Sequence, residues 1–131
     1  MTTDLLCLLA LALWSIPLNH IPALARVSAA ESPLAWGMGN RDTMPEVKPW
    51  VGRADRAQRN HHDNLATIAA VILIAQVTGQ TDGVTAISSI AVLGLRIAHG
   101  LTYIFGIPAL RSTAYFGSIV ALGVIVWRIL T

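Results

Sequence analysis

The sequence predicts an all-α integral membrane protein: a bundle of four transmembrane helices forming a single domain over residues 1–131. Three observations lead there. Of the residues, 54% are hydrophobic and only 12% are charged, about half the charge of a soluble domain. Mean hydropathy is +0.60. The apolar residues also gather into four long runs, at about 5–25, 52–78, 84–105 and 109–130. A helix of about 20 such residues crosses roughly 30 Å of hydrocarbon.

The first run, Leu5 to Ala25, carries no charge. "ALA" at 23–25 resembles a signal-peptide cleavage site. However, the N-terminus has no Lys or Arg, carries Asp4, and leads into too long an apolar run, so a retained helix is expected. Pro17 and Pro22 predict a kink in its second half. His20, between them, is expected to bond a backbone carbonyl that they free, not to catalyse. Residues 26–51 form a polar connection with Pro33, Pro45, Pro49, Gly37 and Gly39, whose Trp36 and Trp50 suit the headgroup level. "GMGNRD" at 37–42 is a turn-rich surface loop, since no strand precedes it as a phosphate loop requires.

The second run begins with polar turns and ends at "GQTDG", 79–83, a tight turn. "GIP" at 106–108 separates the third run from the fourth. Connections this short make the last three helices antiparallel neighbours. Ser88 and Ser89 in the third run suit close helix packing. Cys7 is the lone cysteine, so no intrachain disulfide forms.

The net charge of +2 does not indicate nucleic acid, because no basic face with interleaved aromatics exists. The basic residues lie instead where topology places them. Arg26, Arg41, Lys48, Arg53, Arg56 and Arg59 belong to the first connection and its flanks, and Arg111 borders the third. By the positive-inside rule both termini are outside and loops one and three cytoplasmic.

Polar residues inside the runs converge on that same side. At 100° per residue, Arg53, Arg56, Asn60, Asp63 and Asn64 share one arc of the second helix, while Arg59, His61 and His62 point elsewhere. Arg96, His99 and Tyr103 form a stripe on the third helix. Arg111, Tyr115 and Ser118 form one on the fourth, with Ser112 beside it. Arg96 lies ~15 Å into its helix, where an arginine needs a partner. Asp63 is the acid at comparable depth, so a structural Asp63–Arg96 ion pair is expected. The cluster has more members than a staple requires, and arginine forks suit carboxylates. A peptide-like ligand with two carboxylates, an ammonium and an ionisable thiol would satisfy it. Glutathione fits, although the spacing admits other polyanions. "HHD" at 61–63 is not expected to bind metal, because adjacent helical residues project 100° apart.

At these residues the chain resembles the MAPEG family, membrane-associated proteins in eicosanoid and glutathione metabolism. The resemblance rests on "GRADRAQRNHHDNL" at 52–65, "RIAHGLTYIFGIPALRS" at 96–112 and Tyr115. "GNRD" at 39–42 resembles the family's uncharacterised bacterial branch, which implies a bacterial inner membrane. The resemblance implies a homotrimer that holds glutathione between subunits as co-substrate. Arg111 and Ser112 fall at the thiolate-stabilising, catalytic pair. Arg59, Asn60, Asp63, His99, Tyr103 and Tyr115 fall at glutathione-binding positions, and Arg26 at a basic residue ending helix one; Arg53 and Arg56, from the polar arc, complete the expected ligand-binding set. The family usually has glutamate where this chain has Asp63, one methylene shorter.

Two functions follow as expectations. One is a membrane-bound glutathione transferase or peroxidase acting on a lipophilic small molecule drawn from membrane lipid. The other is a non-catalytic protein of the same fold, whose polar pocket binds a ligand or holds the trimer together.

Overall fold

A computed structural model describes all residues, Met1–Thr131. The chain forms five helices and no strands: α1 Thr3–Ala29, α2 Pro33–Met38, α3 Pro49–Val77, α4 Gly83–Phe105 and α5 Pro108–Leu130. Four are long, and their positions follow the four apolar runs. The fifth, α2, is one short turn-and-a-half inside the connection that the sequence presents as irregular.

Three of the long helices, α1, α4 and α5, are long and apolar enough to cross a bilayer. The multi-pass membrane character expected from composition is therefore present. Helix α3 is the longest but does not meet that measure, because its first half carries Arg53 to Asn64.

Helix α1 absorbs both of its prolines and runs four residues past the expected end. His20 Nδ1 lies 2.8 Å from the carbonyl oxygen of Ile16. That carbonyl belongs to the residue just before Pro17 and is not one that the prolines free. Pro17 and Pro22 lack the N–H groups that would bond Leu13 and Leu18.

The turns carry clear local causes. Asp82 caps α4, its Oδ1 accepting from the N–H groups of Val84 at 2.8 Å and Thr85 at 3.0 Å. Thr85 Oγ1 accepts from the Asp82 N–H in return, completing a capping box. Gly106 ends α4 at φ 74°, a left-handed conformation that glycine adopts without Cβ strain. Pro108 then opens α5 in the position where a missing N–H costs nothing.

Helix α1 packs on α3 and α4, and α4 lies along α5. Leu11, Ile68, Ile72, Ala75, Val92 and Ile125 form the buried core. Leu13, Ile16, Ile87, Ile90, Phe116, Ile119 and Val120 face outward, as hydrocarbon-facing side chains should. Close approach relies on small residues: a Cβ added at Gly117 would stand 3.2 Å from Leu95 Cδ1. Ser89 does more than let helices approach, since its Oγ donates to the buried carboxylate of Asp4 at 2.8 Å.

Candidate functional site

The polar side chains meet where the start of α3, the end of α4 and the start of α5 come together. Asn60, His99, Tyr103, Arg111, Ser112, Tyr115 and Phe116 line a cavity of about 250 Å³ that opens on the bundle surface. Six of these seven were legible as site residues in the sequence. Phe116 was not, because the polar stripes ignore an aromatic wall beside them.

Each member is held by a specific contact. His99 is buried on α4, and its Nδ1 lies 3.0 Å from the carbonyl oxygen of Arg111. A carbonyl only accepts, so this nitrogen carries the proton. The same imidazole packs on two rings, edge-on to Tyr103 at 5.6 Å and tilted against Tyr115 at 5.5 Å. The Arg111 guanidinium lies 4.8 Å from the centre of the Tyr103 ring, within cation–π range. Arg111 closes the first turn of α5 and Ser112 follows it, near the helix end where the dipole favours an anion. Arg111 therefore presents a cation braced by an aromatic face, with no carboxylate of this chain in reach.

Arg96 overturns one expectation. It forms no ion pair with Asp63; the chain has two ion pairs, Arg26–Asp55 and Arg128–Asp82. Arg96 Nη2 donates instead to the backbone oxygen of Asn60 at 3.0 Å and to its side-chain Oδ1 at 3.1 Å. Its guanidinium also lies 5.8 Å from the centre of the Tyr115 ring. The reason is rotational. Asp63 follows Asn60 by three residues, about 60° around the helix. That turn is enough to carry its short side chain out of the bundle.

The arc predicted on α3 thus straddles an edge. Arg53 and Asn60 are half-buried against α4 and Asn64 is half-buried beside Asn60, while Arg56 and Asp63 are exposed beside Arg59. Arg53 donates from Nε to the Ile104 carbonyl at 2.8 Å, satisfying one of the free carbonyls at the end of α4. Arg26 pairs with Asp55, donating from Nη1 to Oδ1 at 2.8 Å and from Nη2 to Oδ2. It borders a neighbouring recess with Trp36 and Arg41. Arg26, Arg53, Arg56, Arg59 and Asp63 therefore do not line the cavity. The Arg26–Asp55 contact had no sequence signal, because a long connection separates the two helices that carry it.

Comparison with curated proteins and with solved structures finds no match. A family model described as the MAPEG family matches residues 4–131. The match spans all the helices described above, α1 included, and on it the chain belongs to the MAPEG family.

Proposed function

We propose that this protein is a membrane-bound glutathione-dependent transferase or peroxidase, acting on lipophilic electrophiles or hydroperoxides that enter from the bilayer. The observation that carries this reading is the unanswered cation Arg111 beside Ser112 in an aromatic-walled cavity. An anion there gains from the guanidinium and from the N-terminus of α5. A thiol bound at that point is favoured as thiolate, with Ser112 placed to donate to the sulfur. The thiolate attacks an apolar substrate; the protein contributes positioning and electrostatics.

In this reading α3 is the fourth membrane span and the assembly is a homotrimer. Support comes from the bare face of α3, where Arg56, Arg59 and Asp63 are exposed in line with Leu73 and Val77. Charged side chains at membrane depth face a bundle interior, not lipid. A cavity of about 250 Å³ is also smaller than the usual ligand pocket, as half of an intersubunit site would be. A neighbouring copy then supplies the Arg56, Arg59 and Asp63 face to complete it. The termini lie outside and residues 26–51 in the cytoplasm. Labelling of a cysteine at position 81 from the cytoplasm alone would overturn that orientation.

A second reading, a non-catalytic binding protein, is favoured by one observation. Asp63 is shorter than the family's glutamate, which limits its reach to a ligand ammonium. Glutathione titration of detergent-solubilised protein, followed by thiolate absorbance in the ultraviolet, separates the two. Binding with a rise in thiolate absorbance at neutral pH supports the enzyme. Binding without thiolate supports the second reading, and no binding removes glutathione from both.

A further inference from the structure

Behind the cavity, inside the bundle, lies a layer of polar groups that the proposed chemistry does not use. Five buried side-chain atoms in the chain have no hydrogen-bond partner: Trp14 Nε1, Ser15 Oγ, His61 Nδ1, Arg96 Nε and His99 Nε2. They come from α1, α3 and α4, and contacts place them at one level. His61 Nε2 lies 3.0 Å from the carbonyl oxygen of Leu11, one turn before Trp14 and Ser15. Trp14 Nε1 lies 3.4 Å from where a Cβ on Gly100 would stand, beside His99. Arg96, one turn before His99, reaches across to Asn60, the residue preceding His61.

The donor and acceptor roles follow from the bonds already made. The Leu11 carbonyl can only accept, so His61 Nε2 carries the proton and Nδ1 is a bare acceptor. The Arg111 carbonyl likewise makes His99 Nε2 a bare acceptor. Arg96 Nε and Trp14 Nε1 are donors only, and the Ser15 hydroxyl is both. The layer thus offers two donors, two acceptors and one hydroxyl, none within bonding distance of another. An anion would meet the two imidazole lone pairs, and a cation would meet Arg96. A small neutral molecule that donates and accepts equally meets neither objection.

We propose that this layer binds internal water, held between α1, α3 and α4 and bordered on the cavity side by His99. Buried waters typically make about three hydrogen bonds to otherwise unsatisfied groups, and this layer supplies them. The water hydrates Arg96 inside the bundle, where no carboxylate neutralises it, and fixes both imidazoles in their tautomers.

The test uses the full-length protein in phosphatidylcholine nanodiscs and the water itself as probe. The indole N–H signals of the four tryptophans are recorded by NMR, with Trp14 assigned through Trp14→Phe. The expected result is a cross-relaxation peak between the Trp14 indole proton and long-lived water. His61→Leu, which replaces an acceptor with a methyl-bearing side chain, should abolish that peak. It should leave the Trp36 indole, which donates to the Thr43 carbonyl, unchanged. His61→Gln, which keeps an acceptor, should retain it. A wild-type Trp14 indole without any water peak would overturn the proposal, whatever the variants do. So would a peak that survives at full intensity in His61→Leu, alone or combined with Ser15→Ala.

Discussion

At the end of the bundle where α3 turns into α4, charged side chains are answered within the chain. Arg128 donates from Nε to Asp82 Oδ2 at 3.1 Å, and Asp82 also caps α4. Asp4 accepts from Ser89. At the opposite end the charges are left over. Among the remaining basic residues only Arg26 meets a carboxylate. Arg53 rests on a carbonyl, Arg96 on Asn60 and a ring, and Arg111 on a ring alone. Folding does not require every cation to be paired, since exposed ion pairs contribute little. Surplus cations at one end, held by neutral partners, keep their charge available for an anion from outside the chain.

The strongest way to break this comparison is to remove the leftover charge at Arg111. Arg111→Ala should leave the fold intact, since the guanidinium makes no hydrogen bond within the chain. If the proposed chemistry is right, the bound thiol ionises less at neutral pH. Turnover should then fall by roughly 10²–10³, the cost of losing a strong electrostatic donor, and partly recover at higher pH. Arg111→Lys should fall between, because a point charge replaces the fork. Unchanged thiolate absorbance and conjugation rate in both variants would make Arg111 a topology signal only.

Arg96 sharpens the comparison through its neutral partner. Asn60→Ala removes the Oδ1 acceptor from a buried cation and should destabilise by about 1–2 kcal/mol, measured by denaturation in detergent. Asp63→Ala should cost less than about 0.5 kcal/mol in the same assay. The effects of Asp63→Ala and Arg96→Leu should add within about 0.5 kcal/mol, as for side chains that do not meet. A strong non-additive rescue in the double variant would restore the ion pair that the structure lacks. In the proposed trimer Asp63→Ala acts instead on glutathione affinity, which a titration reads separately.

The sequence carried most of the fold because lipid allows few solutions. Long apolar runs must be helices, and Asp82, Gly106 and Pro108 mark their ends by local rules. It also carried the cavity, since His99 and Tyr103 on α4 and Arg111, Ser112 and Tyr115 on α5 lie on stripes set by helical period alone. What failed depended on a rotation of tens of degrees. Asn60 and Asp63 shared an arc on paper, and the packing of α3 against α4 drew the boundary between them. The unsatisfied layer at Trp14, Ser15 and His61 was hidden for a different reason. Its members lie on an apolar helix and on the far side of the polar arc, and only tertiary packing unites them.

The smallest expected effect lies at the self-satisfied end. The backbone N–H of Thr85, and next the side chain of Arg128, hold the Asp82 carboxyl below its ordinary range. A carboxyl whose folded value is depressed contributes stability that is fully present above its unfolded value. That contribution disappears as pH falls through the folded value, below the usual carboxylate range. Asp82→Asn keeps an acceptor for the α4 cap but loses the charge for Arg128, so near neutral pH it should lower the melting temperature slightly. Asp82→Ala loses both and should lower it further. The wild type and Asp82→Asn should converge as the medium becomes strongly acidic. High salt should narrow their gap at neutral pH, because the pair is solvent-exposed. The Arg111 variants should show neither convergence in melting temperature, since Arg111 has no carboxylate of the chain to lose. An Asp82→Asn gap that stays constant from neutral to strongly acidic pH would mean that the charge at this end contributes nothing. The contrast between the two ends would then rest on the cap alone.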